Sequence, residues 1–342
     1  MALLDRQAKF RVLVVTNLWP GGSAPGYGSF VRAQMESLRP LGVDYDVLFI
    51  DGRRSKWNYV RAIAELRRRL KARRYDLIHA HFGLSGWVAR FQWRVPVVVS
   101  FMGDDVLGRI LPSGRVSLYG WILQVTSYLL ARRVEGVIVK SHEMKSRLGL
   151  DSAQVIANGV DLALFQPMDT DDARRELGLD LKRKYVIFPY HLAEARKRFD
   201  LIEEAVKLAR REIPNLEILH VRGVPSDRMP LYFNAANVFV LASMAEGSPN
   251  AVKEAMAVNL PVITVDVGDA VDLVGPTAGC YVVPRDAEAI AAKLIEVCRR
   301  GTRTHGREWM APLGIERVAA EIVRVYESVT KHERPSREGG LT

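Results

Sequence analysis

The sequence predicts an α/β protein of two doubly wound lobes, each built on a parallel sheet. Three observations lead there. The 342 residues are too many for one ordinary core and suit two domains of about 150 residues each. Apolar residues make up 48%, enough for two cores and too many for a disordered chain. Short, unbroken aliphatic runs alternate with stretches of helical spacing, and the alternation occurs twice. Continuous Val/Ile/Leu strands between helices belong to parallel sheets covered on both faces.

In the first half, residues 11–16 form an aliphatic run that ends in a Gly/Pro loop. Residues 30–38 have helical spacing, with Phe30, Val31, Met35 and Leu38 on one side. A strand over 45–50, a helix over 57–72, a strand over 77–80, a helix over 84–91 and a strand over 96–101 follow. Residues 116–131 read as an amphipathic or buried helix, 137–139 as a strand and 142–148 as a helix.

Asn158-Gly-Val-Asp-Leu-Ala-Leu-Phe-Gln-Pro167 combines turn residues with a Pro stop and reads as the hinge between lobes. In the second half, strands are expected over 185–188, 216–220, 238–241 and 262–265. Helices are expected over 201–211, from about Pro249, over 287–299 and over 313–329. The domain limits are therefore 1–157, 158–312 and a last helix over 313–330. The tail over 331–342 is polar and expected to be disordered. Two such sheets create two crevices at the carboxyl ends of their strands, so ligand is expected between the lobes.

Arg6, Lys9 and Arg11 interrupt the apolar residues at the start, which does not fit a signal peptide. No apolar run approaches the roughly 18 residues that span a bilayer. Cys280 and Cys298 make no disulfide framework and fit a reduced compartment. The expected location is cytoplasmic.

The net charge of +10 is uneven. Between Arg53 and Arg74 there are ten Lys/Arg against the single acid Glu65, so this segment alone carries +9. A local basic helix invites an anionic surface. Its only aromatics are Trp57 and Tyr59, and it resembles no RNA-binding module, so nucleic acid is not expected. Membrane lipid is the simpler partner, at about 1 kcal/mol per Lys/Arg near an anionic surface. That would place the chain peripherally on the inner face of the cytoplasmic membrane.

The stretch with the most chemistry is Glu246-Gly-Ser-Pro-Asn-Ala-Val-Lys-Glu254. It follows the buried strand over 238–241. Ser248 then Pro249 is a helix-start signal, with Ser248 as N-cap and Pro249 as first helical residue. The amides of Asn250 and Ala251 then lack intrahelical partners and suit a diphosphate. Glu246 precedes the turn and Glu254 lies about one turn into the helix. The two carboxylates can reach past the phosphates in opposite directions, as a sugar nucleotide requires. Spacing alone also allows a loop acid and an exposed helix acid.

Glu246-x7-Glu254 with Gly-Ser-Pro-Asn inside, then Glu254-Ala-Met-Ala and Leu260-Pro-Val-Ile-Thr, strongly resembles the donor motif of glycosyltransferase family 4. Thr16-Asn-Leu-Trp-Pro20, Gly28-x-Phe-Val-Arg-x-Gln34, Leu77-Ile-His-Ala-His81, Phe101-Met-Gly-Asp104 and Asn158-Gly-Val-Asp161 resemble further segments in the same order. The resemblance covers most of the chain. It implies the GT-B fold: two Rossmann-like lobes facing a central cleft, with the last helix crossing back to the first lobe.

By that resemblance, Glu246 would contact the donor sugar and Glu254 the ribose. Gly247, Ser248, Pro249, Asn250 and Ala251 would lie under the diphosphate and sugar. Gly21 and Gly22 would admit the phosphates from the first lobe, and Arg222, Gly223 and Val224 would cradle the base. Lys197 would neutralise the leaving diphosphate. The family usually pairs that Lys with an Arg about six residues earlier; here the position falls on His191, and Arg196 is the candidate to compensate. The family's frequent His-Gly-Ser/Thr-Asp reads Met102-Gly103-Asp104-Asp105 here. Asp104 and Met102 are then the acceptor-side candidates. His79 and His81 end a strand at the expected crevice mouth, on one face by their i, i+2 spacing, and join them. Asp104-Asp105 suggests the Asp-x-Asp metal sites of transferases with a different fold, where the motif is placed differently; no metal is expected.

The expected activity is retaining transfer from a nucleotide-diphosphate sugar, UDP- or GDP-linked, to a hydroxyl on a glycan, lipid-linked saccharide or glycolipid of envelope polysaccharide synthesis. No cofactor is expected beside that co-substrate. The expected catalytic set is Glu246, Lys197 and Asp104. A sugar-nucleotide epimerase of the same fold and a non-catalytic binder of an anionic surface or nucleic acid are the competing readings.

Overall fold

A computed structural model describes residues 9–21, 26–109, 111 and 115–331. Gly22 and residues 332–342 of the expected tail lie outside the described residues. In chain order the first lobe contains β1 (Phe10–Thr16), α1 (Ser29–Leu38), β2 (Val43–Phe49), α2 (Trp57–Ala72), β3 (Leu77–His81), α3 (Gly83–Arg90) and β4 (Val97–Ser100). It continues with α4 (Asp104–Leu107), α5 (Leu118–Ala131), β5 (Gly136–Val139), α6 (His142–Leu148) and β6 (Gln154–Val155).

The second lobe contains α7 (Thr170–Leu177), β7 (Lys184–Phe188), α8 (Phe199–Ala209), β8 (Leu216–His220), α9 (Met229–Ala235) and β9 (Val238–Leu241). After these come α10 (Asn250–Ala257), β10 (Val262–Thr264), α11 (Ala270–Val274), β11 (Tyr281–Val282), α12 (Ala287–Arg300), α13 (Gly306–Met310) and α14 (Ile315–Lys331).

The two sheets are parallel, in the orders β2-β1-β3-β4-β5-β6 and β11-β10-β9-β7-β8. Each order reverses once, between β1 and β3 and between β7 and β9. Loops leaving neighbouring strands at these points run to opposite faces, and a crevice opens between them.

Each sheet is covered on both faces, as its unbroken aliphatic strands require. On one face of the first sheet, Leu13, Ile78 and Val99 pack with Leu66 of α2, Val88 of α3 and Leu130 of α5. On the other, Val12, Val14 and Val98 pack with Met35 and Leu38 of α1 and Ile322 and Tyr326 of α14. The last helix therefore belongs to the first lobe's core.

The chain crosses between lobes twice, side by side. The Val160 amide donates to Leu313 O at 2.9 Å, and the Ile315 amide to Val160 O at 2.9 Å. A Cβ on Gly159 would lie 2.7 Å from the Ile315 Cα, so only glycine admits this approach. The expected hinge segment and the expected return of the last helix to the first lobe thus run as two halves of one paired crossing.

Candidate functional site

The switch point of the second sheet assembles the charged centre. The loop after β7 carries Arg196 and Lys197, and the loop after β9 carries Glu246. They are tied by backbone, with the Met244 amide donating to Arg196 O at 2.8 Å. Lys197 Nζ donates to Glu246 Oε1 at 2.5 Å, and Arg196 Nη1 lies 3.4 Å from the same oxygen. Lys197 and Glu246 side chains are only 7% and 10% exposed, so the carboxylate is a shielded, two-cation site. Burial alone would raise the Glu246 carboxyl, but Lys197 and Arg196 hold it below its ordinary value. Burial lowers the Lys197 ammonium, against the pull of Glu246. Lys197 Nζ also sits 3.8 Å over the Tyr190 ring, a cation–π contact that suits an ammonium almost wholly removed from water.

The helix start differs from expectation. α10 begins at Asn250, Pro249 is its N-cap, and no side chain caps it. Ser248 is not the cap because its hydroxyl accepts from Lys253 Nζ at 2.9 Å. The consequence for anion binding is unchanged: among the described residues the amides of Asn250 and Ala251 have no acceptor.

Lys253 is a site residue the sequence reading passed over. It is buried, and its ammonium also donates to Asn158 O at 2.8 Å, fastening α10 to the hinge. Burial lowers it to about 8, against the raising influence of Asp269 and Glu254. Glu254 is half-buried and raised to about 7 by burial, with Lys253 opposing. Lys140, at the end of β5, is lowered to about 7 by burial and by Lys253. A Lys inside a donor motif between two recognised positions was the available signal for Lys253; Lys140 gave none.

The first lobe meets this centre through backbone. A Cβ on Gly247 would lie 3.2 Å from Met144 Sδ, 3.4 Å from Gly103 Cα and 3.4 Å from Met102 O. Gly103 and Gly247 thus bring the two lobes into near-contact. A cleft of about 600 Å³ opens beside them, lined by Asn17, Tyr27, Tyr59, Asp104, Arg109 and Arg196 among others. Asp104 lies across this cleft from Arg196, which feels its charge. Asp105 turns away from the cleft, and its buried carboxylate accepts the amides of Gly83, Met102 and Gly103 at 2.9 to 3.2 Å. That carboxylate shapes the loop and is not free to hold a metal. Among the described residues no three His, Cys, Asp or Glu converge as metal ligands.

His79 and His81 require correction as acceptor contacts. They do share a face, with ring centroids 4.2 Å apart. Both, however, are wholly buried. His79 Nδ1 pairs with the Tyr326 hydroxyl of α14 at 2.6 Å and Nε2 with Ser100 Oγ at 2.9 Å. His81 Nε2 lies 3.3 Å from Gln34 of α1. Burial pushes His79 down to about 3 and His81 well below its ordinary value, so both are neutral. The helices that cover them come from distant sequence.

His191 is exposed and accepts the Ala193 amide at 3.0 Å; Arg196, not His191, reaches Glu246. Gly21 is exposed, with open space where a Cβ would stand, whereas Gly28 adopts φ +74° and a Cβ there would lie 2.3 Å from Leu18 C. Gly28 is thus the first-lobe loop glycine that geometry requires. Arg222 and Gly223 are exposed after β8, and Val224 is half-buried, its carbonyl 3.8 Å from where a Gly26 Cβ would stand. Of the basic segment, Arg53 and Lys56 line the cleft, while Arg61, Arg67, Arg68 and Lys71 face solvent from α2.

Comparison with known proteins agrees with this architecture. Residues 2–159 match the model of the glycosyl transferase 4-like domain, and residues 200–300 match that of the glycosyl transferases group 1. TuaC of Bacillus subtilis (strain 168), named for glycosyl transfer in teichuronic acid biosynthesis, is 26% identical over 82% of this chain and 87% of its own. The D-inositol 3-phosphate glycosyltransferase of Gordonia bronchialis is 26% identical over 74% of this chain and 67% of its own. Sucrose-phosphate synthase from Thermosynechococcus elongatus superposes with a TM-score of 0.78 at 20% identity, covering 94% of this chain and 99% of that one. Anabaena Alr3699/HepE, solved in complex with UDP and glucose, superposes with a TM-score of 0.70 at 16% identity, covering 93% and 100%. The two matched models, in order along two lobes joined by a paired crossing, identify the chain as a GT-B glycosyltransferase of the group 1, family-4 type.

Proposed function

We propose that this glycosyltransferase moves a sugar, with retention, from a UDP- or GDP-sugar to a hydroxyl acceptor of envelope polysaccharide synthesis. The observation that carries the reading is the Lys197–Glu246–Arg196 cluster beside the open amides of α10, facing Asp104 across the cleft. A nucleotide diphosphate laid on α10 meets the amides of Asn250 and Ala251 and the Lys197 ammonium. Glu246 then accepts sugar hydroxyls, and Glu254 accepts from the ribose. Charge that develops on the leaving diphosphate is met by groups already in place. The acceptor hydroxyl attacks from the face the diphosphate leaves, and a phosphate oxygen takes its proton. No protein nucleophile is required, and catalysis rests on positioning. The reading takes no cofactor beside the nucleotide sugar.

UDP complexes of HepE support a UDP-linked donor, and the name of TuaC supports an envelope polysaccharide product. The acceptor is a glycan, lipid-linked saccharide or glycolipid, and the place of action is the inner face of the cytoplasmic membrane. Thermal shift with UDP-, GDP- and ADP-sugars finds the donor, because a ligand of the native state raises the melting point. The anomeric configuration of the product by NMR then tests retention; inversion would refute the mechanism. Isomerisation of the sugar nucleotide without acceptor would favour the epimerase reading instead.

A further inference from the structure

Helix α5 carries two apolar stripes. Gly120, Leu123, Ser127, Leu130 and Ala131 are buried against the first lobe. The opposite stripe is Leu118, Trp121, Ile122, Val125, Tyr128 and Leu129, all exposed, from 39% for Val125 to 75% for Leu118. Spacings of three and four make it one continuous face. Single exposed apolar residues are ordinary, but a contiguous face of six is not.

Helix α2 lies in the same helical layer. It packs on α3, which packs on α5, and Lys56 Nζ sits 5.8 Å over the Tyr119 ring. The outer stripe of α2 opens with exposed Trp57 and Val60 and continues with Arg61, Arg67, Arg68 and Lys71. Among the described residues Arg61, Arg67 and Lys71 have no acidic partner, and Arg68 pairs with Glu65. Exposed Arg132 and Arg133 follow the end of α5. The layer thus presents aromatic and aliphatic side chains flanked by exposed cations, of which Arg61 and Lys71 make no ion pair among the described residues. None of the described helices is long and apolar enough to cross a membrane.

We propose that the outer faces of α5 and α2 dock on an anionic lipid bilayer. The α5 stripe enters the boundary between headgroups and acyl chains, and the α2 cations rest on lipid phosphates. Charge selects this occupant over a second copy of the chain, because neither exposed stripe carries an acid to meet the cations of the other. The cleft opens at the same ends of these helices, where Lys56, Tyr59, Tyr119 and Leu123 line it. On the transferase reading above, an acceptor carried in that bilayer enters from this side.

The test is co-sedimentation with phosphatidylcholine vesicles, with and without a third of phosphatidylglycerol. The measurement needs no donor or acceptor, so its outcome is independent of the transferase reading. The protein is expected to bind anionic vesicles at least about tenfold more tightly than neutral ones, and less tightly as salt rises. The variants are Trp121→Ser/Ile122→Ser/Val125→Ser on α5 and Arg61→Gln/Lys71→Gln on α2, all outside the cleft lining. Each set is expected to lower anionic binding by at least about tenfold, with the melting temperature not reduced. Equal binding to neutral and anionic vesicles, or variants that bind as the parent does, would overturn the proposal. So would a parent dimer that ignores vesicles and becomes monomeric in the α5 variant, which would assign the face to a second copy.

Discussion

Lys197 and Glu246 neutralise one another in a shielded place, and that allows stability and catalysis to be separated by a double-mutant cycle. Removing one partner of a buried ion pair costs about 3–5 kcal/mol when the other charge is left alone. Here Arg196 remains 3.4 Å from Glu246, so Lys197→Met is expected to cost less, about 2 kcal/mol. By the usual scaling for large domains, that lowers Tm by roughly 4–8 °C. Glu246→Gln is expected to cost a similar amount, since it leaves the buried Lys197 ammonium beside Arg196 without its paired carboxylate. The double variant removes both charges. Its stability is expected to exceed the sum of the single losses by about 1–2 kcal/mol, the coupling of a contacting pair. Transfer behaves differently. Each single variant is expected to lose about a hundredfold in kcat, on the order of 2.7 kcal/mol, and the double variant recovers none of it. Urea denaturation measures the first quantity and release of UDP from UDP-glucose the second. A double variant less stable than the sum predicts would refute the buried-pair argument. Near-normal turnover in either folded single variant would refute the catalytic one.

Gly247→Ala places a methyl 3.2 Å from Met144 Sδ and 3.4 Å from Met102 O; turnover is expected to fall at least about tenfold, with UDP affinity on the second lobe retained. Gly28→Ala is instead a folding defect, about 2 kcal/mol or more by denaturation, because the residue has positive φ and its Cβ overlaps the Leu18 backbone. Lys140 has a folded value of about 7 against 10.5, so the unfolded chain holds more protons between these values and stability rises with pH there, by up to about 1.4 kcal/mol per unit. Lys253 adds the same sign above about 8, and Lys140→Met is expected to remove roughly half of the rise in urea titrations above pH 8. Glu254 is raised to about 7 against 4.5, so its contribution falls as pH rises through that window; Glu254→Gln is expected to flatten the slope below pH 7 and to weaken UDP binding.

Much of the fold was legible because burial writes itself into local pattern. α2 has the expected limits, Trp57 to Ala72, since its narrow buried side of Ala62 and Leu66 contrasts with an exposed charged face. The central strands are unbroken aliphatic runs because both faces of each sheet are covered. What escaped was local structure with little apolar signal. α7 reads Thr-Asp-Asp-Ala-Arg-Arg-Glu-Leu and is held by Asp169 accepting the Asp171 and Asp172 amides, a cap that the charged surroundings hid. The one-turn α4 and the two-residue strands β6 and β11 are too short for any period to show. At the site, Glu246, Lys197 and Arg196 sit together because their loops leave neighbouring strands at a switch point, which the order of runs and turns already implied. The assignment of Ser248 as a cap followed the spacing rule for helix starts, but the helix begins one residue later than that rule placed it, at Asn250, and the Ser248 hydroxyl accepts the buried Lys253 ammonium of the same helix.

The misplaced histidines show how the lobes are held in register. The strand-end rule sends His79 and His81 toward the crevice, and their common face is real. That face is occupied by Tyr326, delivered by a helix that begins after the second crossing of the chain. The two crossings hydrogen-bond through Val160, Leu313 and Ile315. From the same hinge, Asn158 O accepts Lys253 of α10. Helix α10, the hinge and the first lobe's interior are thus linked by contacts that all involve buried polar groups. Leaving any of these unpaired costs about 1–3 kcal/mol. Such a linkage opposes sliding of one lobe past the other. Where the lobes meet beside the cleft, Gly247 lies against the backbone of Gly103 and Met102 and the thioether of Met144, so a methyl there would meet all three. The paired crossing therefore sets the registry of the lobes, and the bare backbone at Gly247 and Gly103 sets how near the first lobe stands to the Glu246 cluster.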